Sequence, residues 1–256
     1  MQPSTPVGTK GEPAGQAAEG GSLGADTRRL RPLVAVGAGI TVIVMLAAAV
    51  LLQYEPAFYR EYREATAGGN LESLESMARR MVSKASALHA AARRSGSWDG
   101  VIRADEANAW LATDLPRNHR NLLPRGLESP RVAFRSQRVQ LGARLRYGPF
   151  SSVAWVDVEP RLKGVNQVGL TVNAAGLGGL PLPRDAVVGQ VAQRLARAGM
   201  VTDLRRNEGR LMVVVSPPAT YDADGVGWRL ESLAIDGDEL LVAGSTGRGE
   251  KGADTE

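Results

Sequence analysis

The chain has 256 residues, 31 of them basic and 27 acidic, for a net charge of +4, and 43% of its residues are apolar. It contains no cysteine, which excludes disulfides, thiolate metal centres and a cysteine nucleophile. Of the basic residues 27 are arginine, so the pI of 9.7 in this Lys-poor, Ala- and Gly-rich chain follows base composition as readily as it follows a polyanionic partner.

Residues 1–32 hold Pro, Gly, Ser, Ala and Thr with almost no large apolar side chain, so they cannot offset the entropy of ordering and read as a disordered tail. Next, Leu33 to Leu52, LVAVGAGITVIVMLAAAVLL, runs twenty residues without a charge. At about 1.5 Å per residue a helix of that length spans about 30 Å, the hydrocarbon core of a bilayer. Residues 33–53 are therefore expected to be a single transmembrane helix, with the lipid bilayer as first partner. Pro32 suits its first turn, and Arg28, Arg29 and Arg31 precede it; Tyr54, Phe58, Tyr59 and Tyr62 suit the headgroup region beyond. This predicts a single-pass cell (inner) membrane protein with a cytoplasmic N-terminus and an extracytoplasmic C-terminal domain. A cleaved signal peptide, cut at Ala47-Ala48-Ala49, is the rival reading.

Residues 54–95 read as a juxtamembrane segment and an amphipathic helix. Asn70 is a natural N-cap with Glu72 in the first turn, and Leu71, Leu74, Ala78, Met81, Ala85, Leu88 and Ala92 form one stripe. Such a stripe packs on its own domain or pairs two chains. After Ser95-Gly96-Ser97, Trp98 to Ile102 suggests a short strand. A second helix is predicted from Ala104 to Leu115, stopped by Pro116, with Asp105 and Glu106 in its first turn and Ala107, Trp110 and Leu111 on its buried face. Residues 116–130 read as a turn-rich connection.

From Arg131 the period becomes two. In RVQLGARLRY, Val139, Leu141, Ala143, Leu145 and Tyr147 point to a buried face while Arg138, Gln140, Arg144 and Arg146 point to a wet one. SSVAWVDVEP and NQVGLTVNAA supply further strands, and helix-free connections predict an antiparallel sheet. A third helix is expected from Arg184 to Ala198, with Val187, Val188, Val191 and Leu195 apolar and Gly199 at its end. Hairpins are predicted at Asn207-Glu208-Gly209 and Asp236-Gly237-Asp238. Residues 96–246 thus form one α+β domain, and residues 247–256 read as a disordered tail.

Chemistry is hard to place on this frame. The two histidines, His89 and His119, lack partners near in sequence, and neither HExxH nor G-x-S-x-G occurs. Asp222 and Asp224 match only a fragment of a calcium loop, and Gly176-Leu177-Gly178-Gly179 lacks phosphate-loop spacing. No catalytic residue, metal or cofactor is assigned, and an enzyme is not expected. Arg117 to Arg146 carries eight arginines against Glu128 alone. Within it Arg131, Arg135, Arg138, Arg144 and Arg146 form a basic patch suited to anionic headgroups, to an acidic partner or merely to solvent. Nucleic acid is disfavoured by the expected location and the lack of an aromatic stacking array. Leu177, Leu180 and Leu182 either edge an apolar groove or plug the end of the sheet.

A single N-terminal span, Asn108-Ala109-Trp110-Leu111-Ala112 on a short helix, Leu123-Pro124, alternating strands, Leu180-Pro181-Leu182-Pro183 before a helix and a closing Asp-Gly hairpin together resemble the YpmS-like and LmeA-like membrane-anchored envelope proteins. These look like relatives of tubular lipid-binding domains. The resemblance covers Trp98 to Thr246 and implies a long helix packed on a curved antiparallel sheet. It further implies binding of a lipid or other apolar ligand, with Trp110, Leu111, Trp155, Leu177, Leu180 and Leu182 as groove residues. The alternative is a non-enzymatic adaptor that holds an envelope protein through its arginines and helix stripe.

Overall fold

The computed structural model describes residues 44–120, 123–124, 126–148, 150–207, 209–216 and 226–248. The N-terminal tail, the first part of the apolar stretch, Asp222, Asp224 and the last eight residues lie outside them. Internal contacts set Met1–Leu46 apart from Ala47–Glu256 as separate units. Residues 44–52 are helical (α1) with apolar, mostly exposed side chains, Val50 at 70% and Leu51 at 43%. Among the described residues no helix is long and apolar enough to cross a membrane.

The fold from α1 onward is α+β. Helices α2 (Ala57–Gly68), α3 (Leu71–Ala91), α4 (Ala104–Asn118) and α5 (Arg184–Arg197) accompany two antiparallel sheets. The larger holds β2 (Leu127–Arg135), β3 (Arg138–Tyr147), β4 (Phe150–Gly164), β5 (Gln167–Leu177), β8 (Arg210–Ser216) and β7 (Val201–Asn207), in that order, with β6 (Leu180–Pro181) paired to β5. The smaller is β1 (Gly96–Arg103), β10 (Glu239–Arg248) and β9 (Val226–Asp236).

Local signals produced most of these elements. The Asn70 side chain accepts the Glu72 N–H at 3.1 Å, so α3 starts where its cap dictates. Gly199 at φ 83° follows α5, and Gly237 at φ 56° turns β9 into β10, conformations that cost glycine little. Pro116 does not end α4. The helix continues to Asn118, because a proline this near the C-terminus forfeits one bond while His119 N–H still reaches Leu115 O at 3.0 Å.

Four features differ from the periodicity. β2 begins inside the stretch read as connection, where Ser129 at φ 48° and a register shift between Glu128 and Arg131 form a bulge. The face of β3 expected to be wet is covered by α2. A Cβ on Gly142 would lie 3.0 Å from the Tyr59 ring and 3.1 Å from that of Phe58, so the missing side chain admits those two aromatics, which pack on Ala133 and Val153. The face expected to be buried leaves Leu141 at 44% exposure and Tyr147 at 82%. Finally, α3 packs on α4 and on β1, the edge of the smaller sheet, while α2, α4 and α5 cover the larger one. Its stripe is only partly used: Ala78 is buried, whereas Leu71 and Ala85 are exposed.

Two main clusters hold the unit. Val188 and Ala192 of α5 pack on Val158, Val172, Val213 and Val215. Ala104 and Ala107 of α4 pack on Val132 and Phe134, closed by Ile235 of the smaller sheet.

Candidate functional site

The six apolar residues singled out in the sequence fall in three places. Leu177 pairs with Leu180 across the β5–β6 turn and with Ala154 on β4, so these side chains share one sheet face, with the exposed Leu182 following. Trp155 pairs with Gly142 and Gly176 and therefore points to the opposite face, beside the Phe58 and Tyr59 cluster, with its Nε1 donating to Gly178 O at 2.8 Å. Trp110 and Leu111 lie on α4. The Trp110 ring sits 5.8 Å from that of His119, and Leu111 packs against the Phe134 cluster.

The face carrying Leu177 and Leu180 continues across β4 and β3. Register pairs Leu141 with Val156 and Tyr147 with Phe150, placing all four on it. Tyr147 is 82% exposed and Phe150 72%, at the turn end of the β3–β4 hairpin. The last residues of the apolar helix lie at this same end. Ser152 Oγ donates to Leu52 O at 2.6 Å, and Gly179 N–H donates to Leu51 O at 2.6 Å.

The arginines do not stand as a free cationic patch. Arg144 bonds Glu55, Arg135 bonds Glu61, Arg138 lies 3.9 Å from Asp157 and Arg146 lies 3.5 Å from Glu128. Two of those four carboxylates belong to the α2 region, 74 and 89 residues away, which no local charge count could reveal. Arg131 is different. It is 7% exposed, its Nη1 donates to Pro130 O at 2.8 Å, and its Nε is buried without a hydrogen-bond partner. Burial pushes its guanidinium pKa down, and nearby Tyr59 only partly opposes that.

Arg131 borders a cleft of about 550 Å³ between the C-terminal half of α4, Leu123, Pro124 and Gly126, and the start of β2. Leu111, Pro116, Leu123 and Leu127 give it an apolar wall, and Arg120 stands with them. Sequence reading missed this cleft because its walls join a helix to a strand it did not recognise. It also missed Glu106 and Asn108, buried polar residues on α4. Glu106 accepts from Lys84 Nζ at 2.6 Å and lies 3.6 Å from Arg80, tying α4 to α3.

His89 is exposed on α3 and His119 lies 3.5 Å from Asp114. Among the described residues no group of histidines and carboxylates could hold a metal ion. No protein-family model, curated protein or solved structure matches this chain.

Proposed function

We propose that this protein is a membrane-anchored, extracytoplasmic domain that binds a lipid or other apolar ligand at the bilayer surface, anchored through Leu33 to Leu52, and that it is not an enzyme. The likeness to the YpmS-like and LmeA-like envelope proteins belongs to the same proposal. The observation that carries it is the aromatic tip of the β3–β4 hairpin. Tyr147 and Phe150 are the most exposed large apolar side chains described, and they lie two or more residues beyond Ser152, whose hydroxyl holds Leu52. Exposed aromatics are costly in water and favoured at a membrane interface. In this reading the tip meets the bilayer, and the apolar row through Ala143 and Ala154 leads from it to Leu177 and Leu180.

The test is depth-dependent quenching. The full chain carrying Phe150→Trp is reconstituted in nanodiscs with acyl-brominated phosphatidylcholine, and its fluorescence loss is compared with that of the parent chain. Extra quenching from the added indole supports contact between tip and bilayer. Identical quenching of the two chains rejects it and turns the search toward a protein partner for the same face.

A further inference from the structure

Arginine 131 is the one buried side chain among those described that has a polar atom left without a partner. Every other arginine of the sequence-defined patch meets a carboxylate; this one, among the described residues, meets only a backbone carbonyl and the neighbourhood of Tyr59. A buried guanidinium without a counter-anion is unfavourable, and proteins rarely keep one without a use for it. The site around it is built. Tyr59 Oη donates to Ser129 O at 2.9 Å, pinning the β2 bulge that precedes Arg131, and the cleft of about 550 Å³ opens beside it.

The cleft has two characters. Leu111, Pro116, Leu123 and Leu127 offer an apolar wall, while Arg131 and the exposed Arg120 supply positive charge. Glu128 also borders it, but its carboxylate is engaged by Arg146 at 3.5 Å. An apolar pocket bordered by two arginines suits a molecule with a hydrocarbon part and an anionic end, since guanidinium groups match the paired oxygens of phosphate or carboxylate.

We propose that the cleft between α4 and β2 is a binding site for an anionic amphiphile, with Arg131 as the buried counter-charge for its phosphate or carboxylate and the α4 wall as the seat of its chain. This rests on the lipid-binding reading and specifies the ligand's charge and the place that reads it.

The experiment uses the full chain in dodecyl maltoside, titrated calorimetrically with dodecyl phosphate, with dodecanol and with inorganic phosphate. Saturable binding of dodecyl phosphate is expected, about tenfold or more tighter than either fragment alone, because both halves of the site are then filled. Arg131→Met should lose about tenfold in that affinity, since a charge-assisted contact is removed, while the melting temperature of the unliganded chain holds or rises because the uncompensated charge is gone. A purely structural arginine would give the opposite pattern, lower stability with unchanged affinity, and would overturn the assignment. Arg120→Gln, an exposed change that spares the fold, should weaken dodecyl phosphate several-fold; no effect of either variant sinks the proposal. Equal affinity for inorganic phosphate would make this a free-anion site and reject the amphiphile. The quenching assay of the hairpin tip involves neither arginine, so the two readings fail separately.

Discussion

Asn108 on α4 bonds both backbone groups of Val132 on β2: its Nδ2 donates to Val132 O at 2.6 Å, and its Oδ1 accepts the Val132 N–H at 2.9 Å. β2 is the edge of the larger sheet, so these groups have no further strand to pair with. One amide side chain, also donating to Ala104 O at 2.7 Å, closes the edge and fixes α4 against it.

Asn108→Ala should therefore cost about 2–4 kcal/mol, because two buried backbone groups lose their partners at once. Asn108→Asp should also destabilise, since its carboxylate would face Val132 O where the amide donated. Urea denaturation of the chain measures both. A loss below about 1 kcal/mol would mean that water replaces the amide and that the edge is not closed by this residue.

The pair joining α3 to α4 should respond asymmetrically. Glu106 has a side chain only 5% exposed, while Lys84 is 40% exposed and Arg80 55%. Removing the acid with Glu106→Gln leaves cations that can turn to water, costing within about 1 kcal/mol. Removing the cation with Lys84→Met leaves a buried carboxylate with only the longer Arg80 contact, costing about 1–3 kcal/mol. The order of the two melting temperatures decides it, and the reverse order would show that the buried acid is compensated otherwise.

Tyr62 gives an alkaline signature. Burial, aided by the Glu61 carboxylate, raises its phenol pKa above the ordinary value, with Arg135 opposing. Between the unfolded pKa of about 10 and the higher folded value the native state binds more protons, so stability is full below the first and falls as pH rises through the second. Tyr62→Phe should flatten the decline in stability above about pH 10 relative to the parent chain. Parallel pH profiles would show that other groups govern the alkaline limb.

Gly178 controls how the end of α1 seats on the sheet. At φ 60°, a Cβ there would lie 2.5 Å from Leu51 O and 2.6 Å from Leu52 O, both backbone atoms that cannot swing away. Gly178→Ala should cost about 1–3 kcal/mol through overpacking and strain, and should loosen residues 51–56 from the domain. Faster proteolysis confined to residues 51–56, with the rest of the domain intact, is the expected readout. Unchanged cleavage would show that the Ser152, Gly179 and Arg144 contacts hold the segment without the close approach at Gly178.

Local chemistry explains what was legible in the sequence. α3 and α5 follow from their 3.6-residue stripes with Asn70 and Gly199 at their limits, and the β7–β8 and β9–β10 hairpins follow from turn residues between alternating runs. Where the signal was nonlocal it failed. β2 was hidden because its first residues form a bulge, with Ser129 in a conformation rare outside glycine, and Pro130 reads as loop.

The sequence by itself determined most of the elements, though not α2 or β2, together with the antiparallel class and the apolar stretch before them, because each of these depends on residues within a few positions of one another. Only the tertiary structure decided which face of β3 is covered. Alternation distinguishes two faces but cannot say what packs on either, and here Gly142 let α2 take the side that carries Arg144. The same holds for charge. Carboxylates brought from Glu61 on α2 and Glu55 just before it pair arginines that look unopposed in sequence, while Arg131, ordinary in that list, becomes the unpaired one because the fold buries it away from every acid described. Pairing and burial depend on distances that chain order does not encode.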